Sequence, residues 1–384
     1  MKNVKKLVVL LIASVGLIVL CTSCSVMSSS REINNSEYYK ISVDRYITDD
    51  LSILDNDLKD KEIIFTAEMH GMKANMELEL KFLKYLKEKT NFKYYLCEIS
   101  YAQGLKINEF LETGDTAILE ELFSHYKGTF AYTKDSYNRW VELYEYNKNF
   151  DEDNKIKVIG VDVEHQVLYA SKIIKELLPS NEPPKEINDS INSLKNYLGG
   201  EDSIKTIHED LLAKESLFKA YFGENYFDIE LIIRNIKNLY YVKVNEKSFN
   251  ARRDAVMYEN FMDIYDTIED GIFYGQWGHN HTYQAEEGGI KWFATYLNEA
   301  KFKDKILTIA YTYDNCKFMN KTGNGGYSVK AFDTFSGYSL EDGNKQTAIM
   351  FDIQNPSSTF KDSAKYFQYL LVISDSEATE PFNE

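Results

Sequence analysis

Glu62-Ile63-Ile64-Phe65-Thr66-Ala67-Glu68-Met69-His70-Gly71 is the stretch that decides the fold. An apolar run of strand length ends in two ionisable residues and a glycine. Met76, Leu80, Leu83 and Leu86 then recur at helical spacing. The same grammar repeats along the chain. Residues 94–97 read as a strand before a helix carrying Leu105, Phe110 and Leu111, and 157–161 as a strand before a helix over 168–178. A helix over 249–267 leads into a strand at 272–275, and further strands fall at 306–312, 347–353 and 369–373. Strands that alternate with helices predict βαβ units, hence an α/β fold with a mainly parallel central sheet flanked by helices. Pro179, Pro183 and Pro184 mark a linker. Beyond it, 187–246 is helical in pattern and offers no strand. Residues 179–248 are therefore expected to be an inserted helical subdomain, and 46–178 with 249–384 the main α/β domain.

The ionisable residues gather where strands end. Glu68 and His70 follow the first strand, Glu98 the second, Asp162 and Glu164 the third, and His279 and His281 the strand after the insertion. Ligands of open α/β sheets bind in the crevice beyond the carboxyl ends of the strands, so these residues predict one site. Asp162 reads as a substrate-binding residue or as a cap for the next helix. Glu164 is expected on a solvated loop, and His281 has a second reading as a turn residue. His125, His165 and His208, without partners nearby in sequence, are expected to be structural or at the surface. Arg253 and Asp254 open a helix. They either position a substrate carboxylate or clamp the insertion against the sheet. The clamp is the preferred reading, because adjacent helical residues point in different directions. Substrate is expected to enter between the sheet and the helical insertion. No Gly-x-Ser-x-Gly elbow supports a serine nucleophile.

The N-terminal stretch addresses the compartment. Lys2, Lys5 and Lys6 precede an uncharged apolar run over 7–20, the layout of a secretory signal and shorter than a spanning helix. Cys21-Thr22-Ser23-Cys24 resembles a bacterial lipobox, with Cys21 where an aliphatic residue is usual. The expectation is a signal peptide over 1–23, cleavage before Cys24, lipidation of its thiol and a tether over 24–45. That makes an exported protein held at the cell membrane by its lipid, on the extracytoplasmic side. The formal charge of −16 becomes −19 without the three leader lysines, which argues against nucleic acid as a partner. Cys97 and Cys316, each in an apolar run, read as buried free thiols. The sequence carries no signal for an oligomeric state.

A family resemblance rests on several segments together. Ala67-Glu68-Met69-His70-Gly71 looks like the Glu-x-x-His-Gly signature of the erythromycin esterase family, one residue shorter, and also like the Gly-Glu-x-His of the distantly related ChaN-type haem-binding lipoproteins and TraB-type proteins. Phe92-Lys93-Tyr94-Tyr95-Leu96-Cys97-Glu98 is similar to the esterases' strand ending in glutamate, and Gly160-Val161-Asp162 to their Gly-x-Asp segment. Arg253-Asp254-Ala255-Val256-Met257-Tyr258-Glu259-Asn260 is close to their Arg-Asp-x-x-Met-Ala-x-Asn helix, and Gly278-His279-Asn280-His281 resembles their Ala-His-Asn-x-His. Met72 and Lys73 stand where the family has arginines. The resemblance implies metal-independent hydrolysis of an ester or lactone in a small-molecule substrate, with His70 as the base that activates water. A base of this kind titrates near neutrality and is held in one tautomer by a carboxylate, here Glu68 or Glu98. His279 or His281 would donate to the oxyanion. No cofactor is expected. Two alternatives stay open: a divalent metal on His70, His279, His281 and Glu68, or a non-catalytic lipoprotein that binds haem or another ligand.

Overall fold

The chain enters through two short strands, β1 (Arg31–Ile33) and β2 (Tyr39–Ser42), and then β3 (Ile63–Glu68), whose side chains are all buried. The structure is a computed structural model that describes residues 31–33, 35–321, 326–340 and 347–383. The expected signal peptide, Cys24 and the first part of the tether lie outside the described residues. After β3 come α1 (Lys73–Lys89), β4 (Phe92–Ser100), α2 (Tyr101–Thr113), α3 (Thr116–Ser124) and α4 (Lys134–Asn147). Next are β5 (Lys157–Asp162) and α5 (Val167–Leu177). Four helices without a strand follow: α6 (Asn188–Lys195), α7 (Glu201–Ala213), α8 (Glu215–Phe222) and α9 (Tyr226–Lys243). The chain returns to the sheet through α10 (Phe249–Tyr265), β6 (Ile272–Gly278), α11 (Phe293–Glu299) and β7 (Ile306–Asp314). It closes with β8 (Cys316–Lys321), β9 (Tyr327–Phe332), β10 (Tyr338–Leu340), β11 (Thr347–Asp352) and β12 (Tyr369–Ser374).

Eight of these strands form one sheet in the order β2-β11-β12-β7-β3-β6-β4-β5. The strands from β12 to β5 run parallel, and only β11 runs against its neighbours β12 and β2. The protein is an α/β fold with a mainly parallel sheet flanked by helices. Side chains alternate between its two faces. Ile63, Phe65 and Trp277 pack with Met257 and Phe261 of α10 and Phe293 of α11. Ile64, Tyr95 and Tyr274 face the opposite core, with Phe82 of α1 and Trp140 of α4. Residues buried on both faces of a parallel sheet read as near-continuous apolar runs, which is why β3 is conspicuous in the sequence. Cys97 and Cys316 are buried free thiols.

Three local devices aim the strand ends. Opposite β5, Cys97 pairs with Gly160 and Ser100 with Asp162, so Glu98 and Ile99 together face Val161. That bulge re-aims Glu98 where the strand leaves the sheet. The Gly160 backbone passes so near this turn that a Cβ there would sit 2.2 Å from the Ser100 carbonyl oxygen. Gly71 has φ +93°, and its carbonyl accepts from the amides of Met319 and Thr379, both at 2.9 Å. The turn carrying His70 is thereby tied to β8 and to the C-terminal segment, and only glycine adopts this backbone without strain.

Candidate active site

β3, β6, β4 and β5 are adjacent and parallel, so Glu68, Gly278, Glu98 and Asp162 reach the same edge of the sheet. A cleft of 480 Å³ lies beyond that edge, lined by Glu68, His70, Glu98, Asp162, His165 and Arg253 among others.

The first cluster is built on β3. Glu68 is buried and bonds the His70 Nδ1 with one oxygen and the Asn75 amide with the other. Asn75 also donates to the Met69 carbonyl at 2.8 Å and accepts from the Tyr313 hydroxyl at 3.1 Å, so the carboxylate is fixed from behind. The His70 side chain is 42% exposed, and its ring lies 5.7 Å from that of Phe130. Burial alone would lower the His70 pKa, but Glu68, and after it Glu98, outweigh burial and lift it to about 9. Nε2 points along the cleft: a Cβ on Gly278 would lie 3.4 Å from it and 3.2 Å from Glu98 Oε2.

The second cluster centres on Arg253. Its Nε donates to Asp162 Oδ1 at 2.9 Å, and its Nη2 to Asp162 Oδ2 at 2.6 Å and Glu98 Oε1 at 2.8 Å. The other Glu98 oxygen accepts the Gly278 amide at 2.9 Å. Burial would raise both carboxyls. Nearby partners reverse this, His281 and Arg253 for Glu98 and chiefly the Arg253 guanidinium for Asp162, so both stay ionised. His281 is held at Nδ1 by Asp254, at 2.8 and 2.9 Å. Its Nε2 lies 3.3 Å from Glu98 Oε1 and 3.1 Å from Arg253 Nη1. A protonated His281 donates to Glu98, whereas a neutral one accepts from Arg253. Against the effect of burial, Asp254 and then Glu98 raise its pKa to about 10, which selects the charged form.

The sequence expectations meet this geometry unevenly. Glu68, His70, Glu98, Asp162, Arg253 and His281 come together. His279 does not: the 3-10 turn His279–Thr282 carries it away from the cleft, and its ring sits 5.1 Å from Phe367 and 5.6 Å from Tyr283. Burial drops its pKa to about 4, so it is neutral. Of the four residues named for the metal alternative, His279 stands apart from His70, His281 and Glu68. The Nδ1 of His70 is taken by Glu68, both His281 nitrogens are engaged, and no group of three or more His, Cys, Asp or Glu among the described residues could hold a metal ion. Arg253 and Asp254, read as facing apart, grip the two nitrogens of one imidazole, because the long arginine reaches around the ring that the short aspartate holds. Arg253 ties α10 to the ends of β4 and β5 rather than clamping the helical insertion.

Other readings are corrected outright. Asp162 does not cap α5, which starts five residues later at Val167. Glu164 is buried rather than solvated and accepts the Ala102 amide at 3.0 Å. His165 has a partner after all, Asp162 Oδ2 at 3.2 Å, and lines the cleft. Helices α6 to α9 do not line it. Its walls come from 126–140, Phe249, Lys321 and Thr379. Sequence reasoning also missed Glu79, Arg139 and Gln276. The only signal for Gln276 was a polar side chain inside an apolar strand. Glu79 and Arg139 lie in helices and escape any search of strand ends.

Comparison with solved structures agrees with the architecture. A succinoglycan biosynthesis protein superposes with a TM-score of 0.70 at 15% identity, over 90% of this chain and 96% of that one. A protein from Bacillus cereus gives 0.68 at 15% identity, over 90% and 97%. An erythromycin esterase mutant in its open conformation gives 0.62 at 12% identity, over 90% and 100%. The likeness is one of fold. No family model matches the chain, and no curated protein matches it.

Proposed function

We propose that the protein is a hydrolase that cleaves an ester or lactone with a water activated by His70, without a metal. The observation that carries this reading is the Glu68–His70 pair. Glu68 occupies Nδ1 and thereby fixes the tautomer, so neutral His70 presents a bare Nε2 to the cleft beside Glu98. His70, not His281, suits the base, because both nitrogens of His281 are occupied and that ring is buried. Water bound at Nε2 gives up a proton to His70 as its oxygen attacks the acyl carbon. The oxyanion develops near the cationic Arg253, which lines the cleft. Collapse breaks the bond to the alkoxide, which leaves with the proton from His70. The fold shared with an erythromycin esterase is compatible with this chemistry, and the two carboxylates that keep His70 protonated predict activity rising with pH.

The test is a panel of ester and lactone substrates, with and without a chelator. His70→Ala should reduce turnover by ~100- to 10,000-fold with folding intact. Unchanged turnover in that variant would remove His70 from the mechanism, and chelator loss reversed by added metal would replace it with metal-dependent hydrolysis.

The protein is also proposed to be an exported lipoprotein, acylated at Cys24 after removal of 1–23. The support is the charged n-region, the apolar run and the small residues before Cys24. A fatty-acid probe should label the wild-type chain but not Cys24→Ala. Equal labelling of both would rule out that position.

A further inference from the structure

We propose that Arg139 binds a free carboxylate of the substrate at the floor of the cleft, so that the preferred esters are those carrying a second, anionic group. This rests on the hydrolase reading of the site and names its substrate class.

Arg139 lines the same cleft as His70, and its side chain is only 17% exposed. It stacks on Trp140, with its guanidinium carbon 4.4 Å from the ring centre. Glu79 is its ion-pair partner, but through one nitrogen: Nη1 meets both Glu79 oxygens, at 2.9 and 2.7 Å. The side-on fork of Nε and Nη2, which matches a carboxylate with two parallel hydrogen bonds, is left over. Nε is buried and has no hydrogen-bond partner. A buried donor without an acceptor is costly and calls for an explanation. An anion in the cleft supplies one.

The remaining charges permit an anion to enter. Glu68 is matched by His70, and Glu98 and Asp162 share Arg253. Glu79 is matched by Arg139 and also accepts from the Tyr95 hydroxyl. Lys321 stands at the exposed side of the cleft, 4.8 Å from the Phe130 ring that flanks His70. The lining is therefore close to electroneutral inside a chain whose formal charge is −16. An anion that reaches the floor meets a guanidinium whose hydrogen-bonding edge is incompletely used.

The experiment compares matched nitrophenyl esters on the full chain, the glutaric acid monoester against the uncharged valerate, and measures glutarate binding by calorimetry. The expected wild-type preference for the charged ester is about 10- to 100-fold in kcat/KM, the worth of a charge-assisted pair of hydrogen bonds. Arg139→Met should bring the ratio of the two esters near one and abolish glutarate binding. Arg139→Lys keeps the charge beside Glu79 but lacks the fork, and should lose most of the preference; it decides the matter if Arg139→Met fails to fold. Glutarate binding that depends on Arg139, with neither ester turned over, would sustain the carboxylate site and sink the hydrolase. Equal turnover of both esters, or a preference unmoved in the Arg139 variants, overturns the proposal and leaves the hydrolase standing. Neither binding nor turnover overturns both.

Discussion

Replacing Glu68 with glutamine gives the sharpest test of the site, because it removes one charge and keeps the shape. His70 has a pKa of about 9, so at pH 7 about one molecule in a hundred carries the neutral base. Burial pulls that pKa down, Glu68 does most to lift it, and Glu98 adds to the rise. In Glu68→Gln the midpoint should fall toward the ordinary histidine value of about 6.5, which leaves most molecules neutral at pH 7. The base that results is weaker and less firmly oriented, a loss of about 10- to 100-fold in the rate of each neutral molecule. The two effects oppose one another. Wild-type kcat/KM should climb about tenfold per pH unit up to a plateau above pH 9, whereas the variant should level off near pH 7. The two enzymes should then have similar activity at pH 7 and differ about 10- to 100-fold at pH 9.5. NMR titration of the His70 ring gives the midpoints without reference to activity. A wild-type His70 titrating near 6.5, or a variant whose midpoint does not move, would refute the role given to Glu68.

Other perturbations follow from the same geometry. Arg253→Ala removes the guanidinium that Glu98 and Asp162, both largely buried, share, leaves them only His281 and His165 as side-chain partners, and should cost about 3–5 kcal/mol, read as a fall in Tm accompanying the loss of activity. Glu164 has its pKa raised to about 7, chiefly by burial. A raised acid folds best when protonated, so its stabilising protonation is complete below the unfolded value of 4.5 and is lost as pH rises through 7. Glu164→Gln should accordingly gain about 3 kcal/mol over wild type at pH 8.5 and almost nothing at pH 4, measured by denaturant unfolding. A chelator should leave ester hydrolysis unchanged, which a rate assay with and without it checks directly.

The sheet was legible because its central strands are short apolar runs buried on both faces, and β3, β4 and β5 are each followed by a helical pattern. Elements that bury little were not. The edge strand β2 has four residues, two of them exposed, and the hairpin β8–β9 is polar over much of its length. In helix α4 only Trp140 and Leu143 are fully buried apolar side chains, with Tyr137, Val141, Tyr144 and Tyr146 half-buried around them, too broken a stripe to register as a period. Missing it had a consequence, since α4 and the loop before it form a wall of the cleft.

The site was legible as far as its chemistry stands at strand ends. Parallel strands deliver their last residues to one edge, so Glu68, Glu98 and Asp162 could be grouped without knowing the strand order. Rotation beyond the last strand residue could not be read. His279 and His281 are two apart and follow the same strand, yet a single 3-10 turn sends one toward Phe367 and the other to Asp254 and Glu98. Position after a strand thus identifies candidates, and the turn chooses among them. The same logic explains the error over Arg253 and Asp254. Spacing along a helix fixes where Cβ atoms point, but a side chain as long as arginine ends several ångströms from its own Cβ. Its guanidinium meets the imidazole that its neighbour holds, which joins α10, β4, β5 and the turn after β6 in one ionic network. Directional arguments from helical spacing hold for short side chains and fail for long ones. Arg139 follows the same rule, reaching from α4 to Glu79 of α1 while keeping one edge of its guanidinium unspent.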